Sequence, residues 1–337
     1  MSAKKRIMAA AVALFLLAPV IALSVSGGAL EIETVSVTMP AAESEPVNYA
    51  PVAENLNYTT YKGVTLFGEF AAIDPEGELV SFRIVTQPAK GDVTVADNKF
   101  RYVPNSKKKG KDSFTYVALD ASGNASQEAT VSVIIEKQST DVMYSDMNGN
   151  PAEYSALRLA EEGIFVGEKL GDLYNFNPNA TVSRSEFLAM CAKVSGMEPI
   201  TDVTNTGFAD DAIIPTWVKP YVSAALMGGM INGYSGDGGA AVFAAIQPIS
   251  FSEAAVMLNN ALQISDVRSV SFFADETLVP VWASQAAANL NACNILEDIT
   301  LNANKPVTRA EAATVLARAA ELVASRNDGH SLLSWAF

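Results

Sequence analysis

One tetrad, written three times, constrains this chain more than any other feature. Ser183-Arg184-Ser185-Glu186 recurs as Ser250-Phe251-Ser252-Glu253 and as Thr308-Arg309-Ala310-Glu311. Ahead of each stands an aspartate two residues after an aromatic: Tyr144-Ser145-Asp146, Phe208-Ala209-Asp210 and Phe273-Ala274-Asp275, about 65 residues apart. A period of that length means like units stacked on one another, each too small to bury its own apolar face. Arrays of this kind serve as binding or assembly surfaces.

Ser/Thr-x-x-Glu ahead of an apolar run is a capping box. The hydroxyl accepts from the third helical amide and the glutamate reaches back to the cap residue's own N–H. All three copies keep both partners, so Glu186, Glu253 and Glu311 have a sufficient structural role. The arginines do not. At the first helical position Arg184 and Arg309 set a cation against the positive end of the helix dipole, which costs a few tenths of a kcal/mol. An anion held by exposed helix amides and a guanidinium together reverses that cost. A neighbouring acidic side chain does so as well, and both readings stand. Trp217 and Trp282 fall at the entrance of a first helix in the second and third units. They suit a core anchor or an exposed platform for a sugar ring.

The ends and the composition set further limits. Lys4, Lys5 and Arg6 precede an apolar run from Ile7 to Leu23, and small residues from Ser24 to Ala29 follow. Residues 1–29 therefore read as a signal peptide, and the mature chain is expected to be exported, with no membrane contact after cleavage. An uncleaved anchor is the alternative. Loss of three cations takes the net charge from -14 to about -17. That surface excludes nucleic acid as a partner. The one basic cluster, Lys107-Lys108-Lys109-Gly110-Lys111, reads as a solvated turn between two strands, a polyanion contact being the alternative. Cys191 and Cys293 lie in apolar helical stretches and read as small buried hydrophobes, a disulfide being the alternative. Neither they nor the single His330 supports a zinc site or a Cys- or His-based catalytic set.

After a linker at 30–50 the pattern changes to short runs of β type. Leu79–Val85, Lys99–Val103, Ser113–Val117 and Ala129–Ile134 are separated by turns such as Asp74-Pro75-Glu76-Gly77 and Asp120-Ala121-Ser122-Gly123. Residues 51–138 are expected to form a β-sandwich. From 143 to 326 the pattern is helix, long loop, helix in each unit, with Trp217 opening the first helix of the second unit. A tail at 327–337 has no assigned role.

The strand region resembles bacterial cadherin-like or immunoglobulin-like repeats. The match is carried by Asp74-Pro75-Glu76-Gly77, Gln87-Pro88-Ala89-Lys90-Gly91, Tyr102-Val103-Pro104 and Asp112-Ser113-Phe114-Thr115-Tyr116. Such modules act as spacers or adhesive units and several bind calcium. Here that implies Asp74, Glu76, Glu78 and Asp120 as candidate ligands, the alternative being carboxylates that cap turns and face water. Calcium is the one cofactor considered.

The three units resemble S-layer homology repeats, at 143–200, 207–265 and 271–326. The first matches through Gly163-Ile164, Gly167, Phe176-Asn177-Pro178 and Val182–Glu186. The second matches through Trp217-Val218, Gly229-Met230, Gly233-Tyr234 and Asp237-Gly238, and the third through Trp282-Ala283 and Val307–Glu311. The resemblance implies a multidomain chain, an all-β sandwich followed by an all-α pseudo-threefold array. Its grooves would hold a secondary cell-wall polysaccharide, often pyruvylated, through Arg184 and Arg309 with Trp217, Trp282 and Tyr234 as walls. Departures are Phe251 in place of arginine, Pro151 in place of tryptophan, Asn294 and Asp298 in place of glycines, and Leu301 in place of an aromatic. The expected protein is therefore not an enzyme but a non-catalytic component of the bacterial surface, anchored to the wall. Repeats turned to self-association or contact with surface proteins, and a wall-tethered hydrolase, are the alternatives.

Overall fold

Alternation decides the first half of the molecule. In β9 (Ala129–Glu136), Ala129, Val131, Val133 and Ile135 are buried while the residues between them face outward. The computed structural model describes residues 48–268, 279–296 and 302–327. The expected signal and most of the linker, Asp275, Asp298, Leu301, and the tail with His330 lie outside the described residues.

β1 (Val52–Ala53) pairs with β4 (Ala72–Ile73) in a short ribbon. β2 (Leu56–Tyr61), β9, β8 (Gly110–Leu119) and β5 (Ser81–Thr86) form one sheet in that order, β2 and β9 being parallel. β3 (Leu66–Glu69), β7 (Lys99–Pro104) and β6 (Gly91–Ala96) form the other. Phe70, Phe100, Tyr102, Phe114 and Tyr116 fill the space between the sheets. The lysine-rich segment is the exposed β7–β8 connection, with Lys111 already in β8.

The described helices of the second half come two to a unit: α1 (Glu153–Glu161) and α2 (Arg184–Ser195), α3 (Lys219–Met227) and α4 (Phe251–Leu262), α5 (Val281–Ala292) and α6 (Arg309–Asn327); they pack between units, α1 on α6, α3 on α2 and α5 on α4. The loops are not wholly irregular. β10 (Glu168–Leu170) and β11 (Leu173–Asn175) make a small hairpin, as do β12 (Tyr234–Ser235) and β13 (Ala241–Val242). α3 begins at Lys219, two residues later than expected, because Pro220, which lacks an N–H, sits in its first turn. Each first helix ends alike. Ile164, Met230 and Ile295 donate to the carbonyls of Leu159, Ala225 and Leu290 at 2.8, 2.8 and 3.0 Å. The left-handed residue just before each donor is Gly163, Gly229 or Asn294, at φ 66°, 72° and 58°. Asn294 is thus a conservative departure, since asparagine tolerates that conformation.

The two halves meet through a small core of their own. Tyr61 and Val64 of the sandwich pack with Val142, Leu157 and Ala160, and Tyr61 lies 5.0 Å from the Tyr154 ring. Glu161 accepts from the Tyr61 hydroxyl and from the backbone and side chain of Ser139.

Candidate anion grooves between the repeated units

The segments that enter α2, α4 and α6 close on each other in a ring. Val182 N–H donates to the Val307 carbonyl, Val307 to Ile249, and Ile249 back to Val182, each at 2.9 Å. Around that ring the first helical amides are also taken by a neighbouring unit. Arg184, Phe251 and Arg309 donate to the carbonyls of Gln247, Lys305 and Ala180 at 2.9, 3.0 and 2.8 Å. Ser185, Ser252 and Ala310 donate to Ala245, Ala303 and Pro178. The third amide goes to the cap hydroxyl, and the capping boxes at Ser183, Ser250 and Thr308 are all formed. One expectation is thereby corrected. The helix amides are consumed by inter-unit pairing, so none of them is left for an anion between the units.

The carbonyl-bearing loops are themselves pinned by the repeat aspartates. Asp146 accepts from Phe176 and Asn177 N–H at 2.9 and 2.7 Å, and Asp210 from Phe243 and Ala244 N–H, both at 2.8 Å. Asn177 and Ala244 both sit at positive φ, 56° and 60°. For an alanine that conformation is strained, and the paired carboxylate bonds hold it.

Each capping glutamate divides its two oxygens. In all three, Oε2 accepts the N–H of its own cap residue: Glu186 from Ser183, Glu253 from Ser250 and Glu311 from Thr308. Oε1 faces the groove, where it meets Arg309 at 3.6 Å, the Tyr234 hydroxyl, and Lys305 at 2.6 Å respectively. Sequence reasoning gave these glutamates no groove role, because the capping box accounted for them. The second oxygen of each carboxylate was the available signal.

The three grooves consequently differ. In the first, Arg184 leaves α2 and lies on the loop of the second unit. Its guanidinium carbon is 4.6 Å from the Tyr234 ring centroid and 5.5 Å from that of Phe243. Arg184 is only 7% exposed, its Nε has no hydrogen-bond partner, and among the described residues no carboxylate oxygen lies within 4 Å of it. Glu253 feels the charge of Arg184, but its Oε1 is already engaged by the Tyr234 hydroxyl. In the second groove, Arg309 stacks 5.3 Å from the Phe165 ring but is also paired, with the Phe176 carbonyl at 3.3 Å and with Glu186. In the third, Phe251 replaces the arginine and is buried beside an apolar cavity of about 30 Å³, while Lys305 supplies the cation to Glu311.

Of the expected site residues, Arg184 and Tyr234 are brought together. Arg309 stands in the second groove with Phe165 rather than an indole. Trp217 and Trp282 are 55% and 61% exposed, and neither indole makes a cation–π contact with an arginine among the described residues. Phe165, Phe176 and Phe243 enter the grooves without having been singled out for it. The calcium candidates do not converge. One Asp74 oxygen accepts from the N–H groups of Glu76 and Glu78 at 3.0 Å, and Asp120 accepts from the backbone and side chain of Asn124 at 2.8 Å. Among the described residues no group of three or more His, Cys, Asp or Glu could hold a metal ion. Asp74 and Asp120 cap their own turns in this way, while Glu76 Oε2 accepts from the Tyr49 N–H at 3.3 Å. Cys191 is buried, Cys293 half-buried, and both are free thiols that burial pushes up in pKa. No described helix is long and apolar enough to cross a membrane.

Residues 48–137 match the profile of the bacterial cadherin-like domain, in agreement with the sandwich seen there. Over 178 residues, 51% of the chain, the protein is 30% identical to the surface-layer 125 kDa protein of Lysinibacillus sphaericus, and it spans 14% of that protein's length. Among solved structures, the SrpA adhesin of Streptococcus sanguinis superposes at a TM-score of 0.22 and 15% identity, over 30% of this chain and 68% of that one. Domains 4 and 5 of the S-layer protein SbsC superpose at a TM-score of 0.20 and 16% identity, over 35% and 58%.

Proposed function

We propose that this is a non-catalytic surface protein whose three S-layer homology repeats, at 143–200, 207–265 and 271–326, hold it on a secondary cell-wall polysaccharide. The cadherin-like sandwich is carried as a spacer or adhesive module. Likeness over half the chain to a surface-layer protein supports the location. The observation that carries the binding reading is Arg184, a buried guanidinium on an aromatic bed with no anion of its own. Burying an unpaired cation is costly, and a ligand carboxylate on the sugar removes the cost by completing a bidentate pair. Tyr234, fixed through its hydroxyl to Glu253 and 37% exposed, presents an edge to the same ligand. Arg309, already paired, makes a weaker site.

A second reading draws on Phe251. A groove with phenylalanine in the arginine's place suits an apolar side chain of a protein partner better than a charged sugar. Co-sedimentation of the full chain with purified walls, intact or stripped of secondary polysaccharide, separates the two. Wild type should pellet with intact walls alone, and Arg184→Met should lose at least tenfold in affinity. Equal pelleting of the variant refutes the Arg184 site, and a wild type indifferent to intact walls leaves the protein-contact reading.

A further inference from the structure

We infer that the sandwich carries a second anion site, a lysine groove that takes a linear polymer with phosphodiester groups in its backbone. Sheet register builds it. Tyr61 lies opposite Glu136 in the parallel β2–β9 pair, and Gly110 lies opposite Ile135 in the antiparallel β8–β9 pair. The end of β2, the end of β9 and the start of β8 therefore lie side by side. Lys62, Lys137 and Lys109 each stand one residue beyond those ends, and Lys107 follows on the same connection. These four lysines line one open groove of about 500 Å³ together with Thr140 and Asp141. A solvated turn accounts for the run at Lys107–Lys111. It does not account for two further lysines brought to the same groove from other connections.

None of the four is neutralised internally. Among the described residues the lysine ion pairs are those of Lys99, Lys219 and Lys305. The acidic groups at the groove are Asp141 on its wall and Glu136 at the strand end, and neither is within 4 Å of a lysine nitrogen. In a chain of net charge -14, carboxylates to pair them are plentiful, so four open ammonium groups in one place form a local field opposite to that of the whole. The groove holds no guanidinium, hence no fork for a carboxylate. Ammonium groups act as compact point charges, which suit phosphate, and several in a row suit successive phosphates of one chain. The preference for a wall polymer over nucleic acid rests on the surface location proposed above; the groove itself does not.

The test uses the full chain and poly(glycerol phosphate) as probe, with binding measured at 50 and 200 mM NaCl. Four neutralised phosphates, at a single-strand slope of about −0.7 each, imply a fall of roughly 50-fold over that range. The variant Lys62→Gln/Lys107→Gln/Lys109→Gln/Lys137→Gln should lose at least tenfold at 50 mM and most of the salt dependence. All four side chains are exposed, so its thermal transition should match wild type. Arg184→Met should bind the probe as wild type does, which separates this site from the wall anchor. Single-stranded DNA and phosphatidylglycerol vesicles at equal phosphate serve as competitors. No binding, or unchanged binding by the lysine variant, overturns the site. Tighter binding of DNA or vesicles overturns the ligand class.

Discussion

Arg184 and Arg309 occupy equivalent positions, yet replacing each by methionine should move stability in opposite directions. A buried polar group without a partner costs about 1–3 kcal/mol, and the Arg184 Nε is such a group. Its stack on Tyr234 returns about 0.5–2 kcal/mol. Methionine keeps the stem, brings no unpaired donor and recovers about 0.3–1.5 kcal/mol against the ring. The net is a gain of about 1 kcal/mol for Arg184→Met, read as a rise in Tm of about 2–4 °C for a domain of this size. Arg309→Met loses a 3.3 Å hydrogen bond to the Phe176 carbonyl and a long contact with Glu186, together about 1–2 kcal/mol, so its Tm should fall. Differential scanning calorimetry at pH 7 and low salt reads both. A loss of 1 kcal/mol or more in Arg184→Met would mean the guanidinium is satisfied in the free protein, and the reasoning that makes it a ligand site would fail. Stability gained with binding lost is the signature of a residue kept for function.

Asp210→Ala removes the acceptor of two backbone bonds and leaves Ala244 strained, so urea melts should show a loss of about 2–4 kcal/mol, and Asp210→Asn about half of that. Glu161→Ala cuts the bonds from Tyr61 and Ser139 at the sandwich–helix junction; a single calorimetric transition should become two, whereas one unchanged transition would show the apolar contacts suffice. Burial pushes the Glu253 and Glu311 carboxyls up, but hydrogen bonds from Tyr234 and Ser250, and from Lys305 and Thr308, outweigh it and hold both below 4.5. The unfolded chain therefore binds more protons as the solution is acidified. The stability these groups contribute is full above about pH 4.5 and drains as pH falls through their folded-state values. Denaturation midpoints should hold from pH 7 to 5 and drop below, and Glu253→Gln should flatten part of that drop.

What could be read from the sequence was local. Alternation in β9 and the Asp-Pro-Glu-Gly turn mark the sandwich, and Ser-x-x-Glu marks the helix starts, because these signals live within a few residues of each other. The grooves depend on partners far apart in the chain. Ser185 pairs with Ala245 and Arg309 with Ala180, and no spacing rule connects them. That is why exposed helix amides were expected where none is free. The role of the aspartates was hidden for a related reason: Ala244 at positive φ carries no glycine or asparagine to announce the turn. Trp217, read as a helix entrance, stands outside α3 because Pro220 shifts the start.

The ring of hydrogen bonds among Val182, Val307 and Ile249, and the inter-unit bonds of the residues that open α2, α4 and α6, are made by backbone, so they do not fix which side chain stands at the first helical position. The capping glutamates are constrained only through one oxygen. Two freedoms follow: the first helical residue and the second carboxylate oxygen can change without loosening the array. Those are the places where the three grooves differ, as Arg184 with Tyr234, Arg309 with Glu186, and Phe251 with Lys305 and Glu311. The scaffold thus sets one unpaired arginine, one self-paired arginine and one phenylalanine at three equivalent positions. It follows that Phe251→Arg should not create a copy of the first groove. Lys305, 2.6 Å from Glu311, would stand as a like charge beside the new guanidinium, and among the described residues no tyrosine or tryptophan ring lines that cavity. Wall binding gained by Phe251→Arg alone would show that position, rather than bedding and charge around it, decides which groove works.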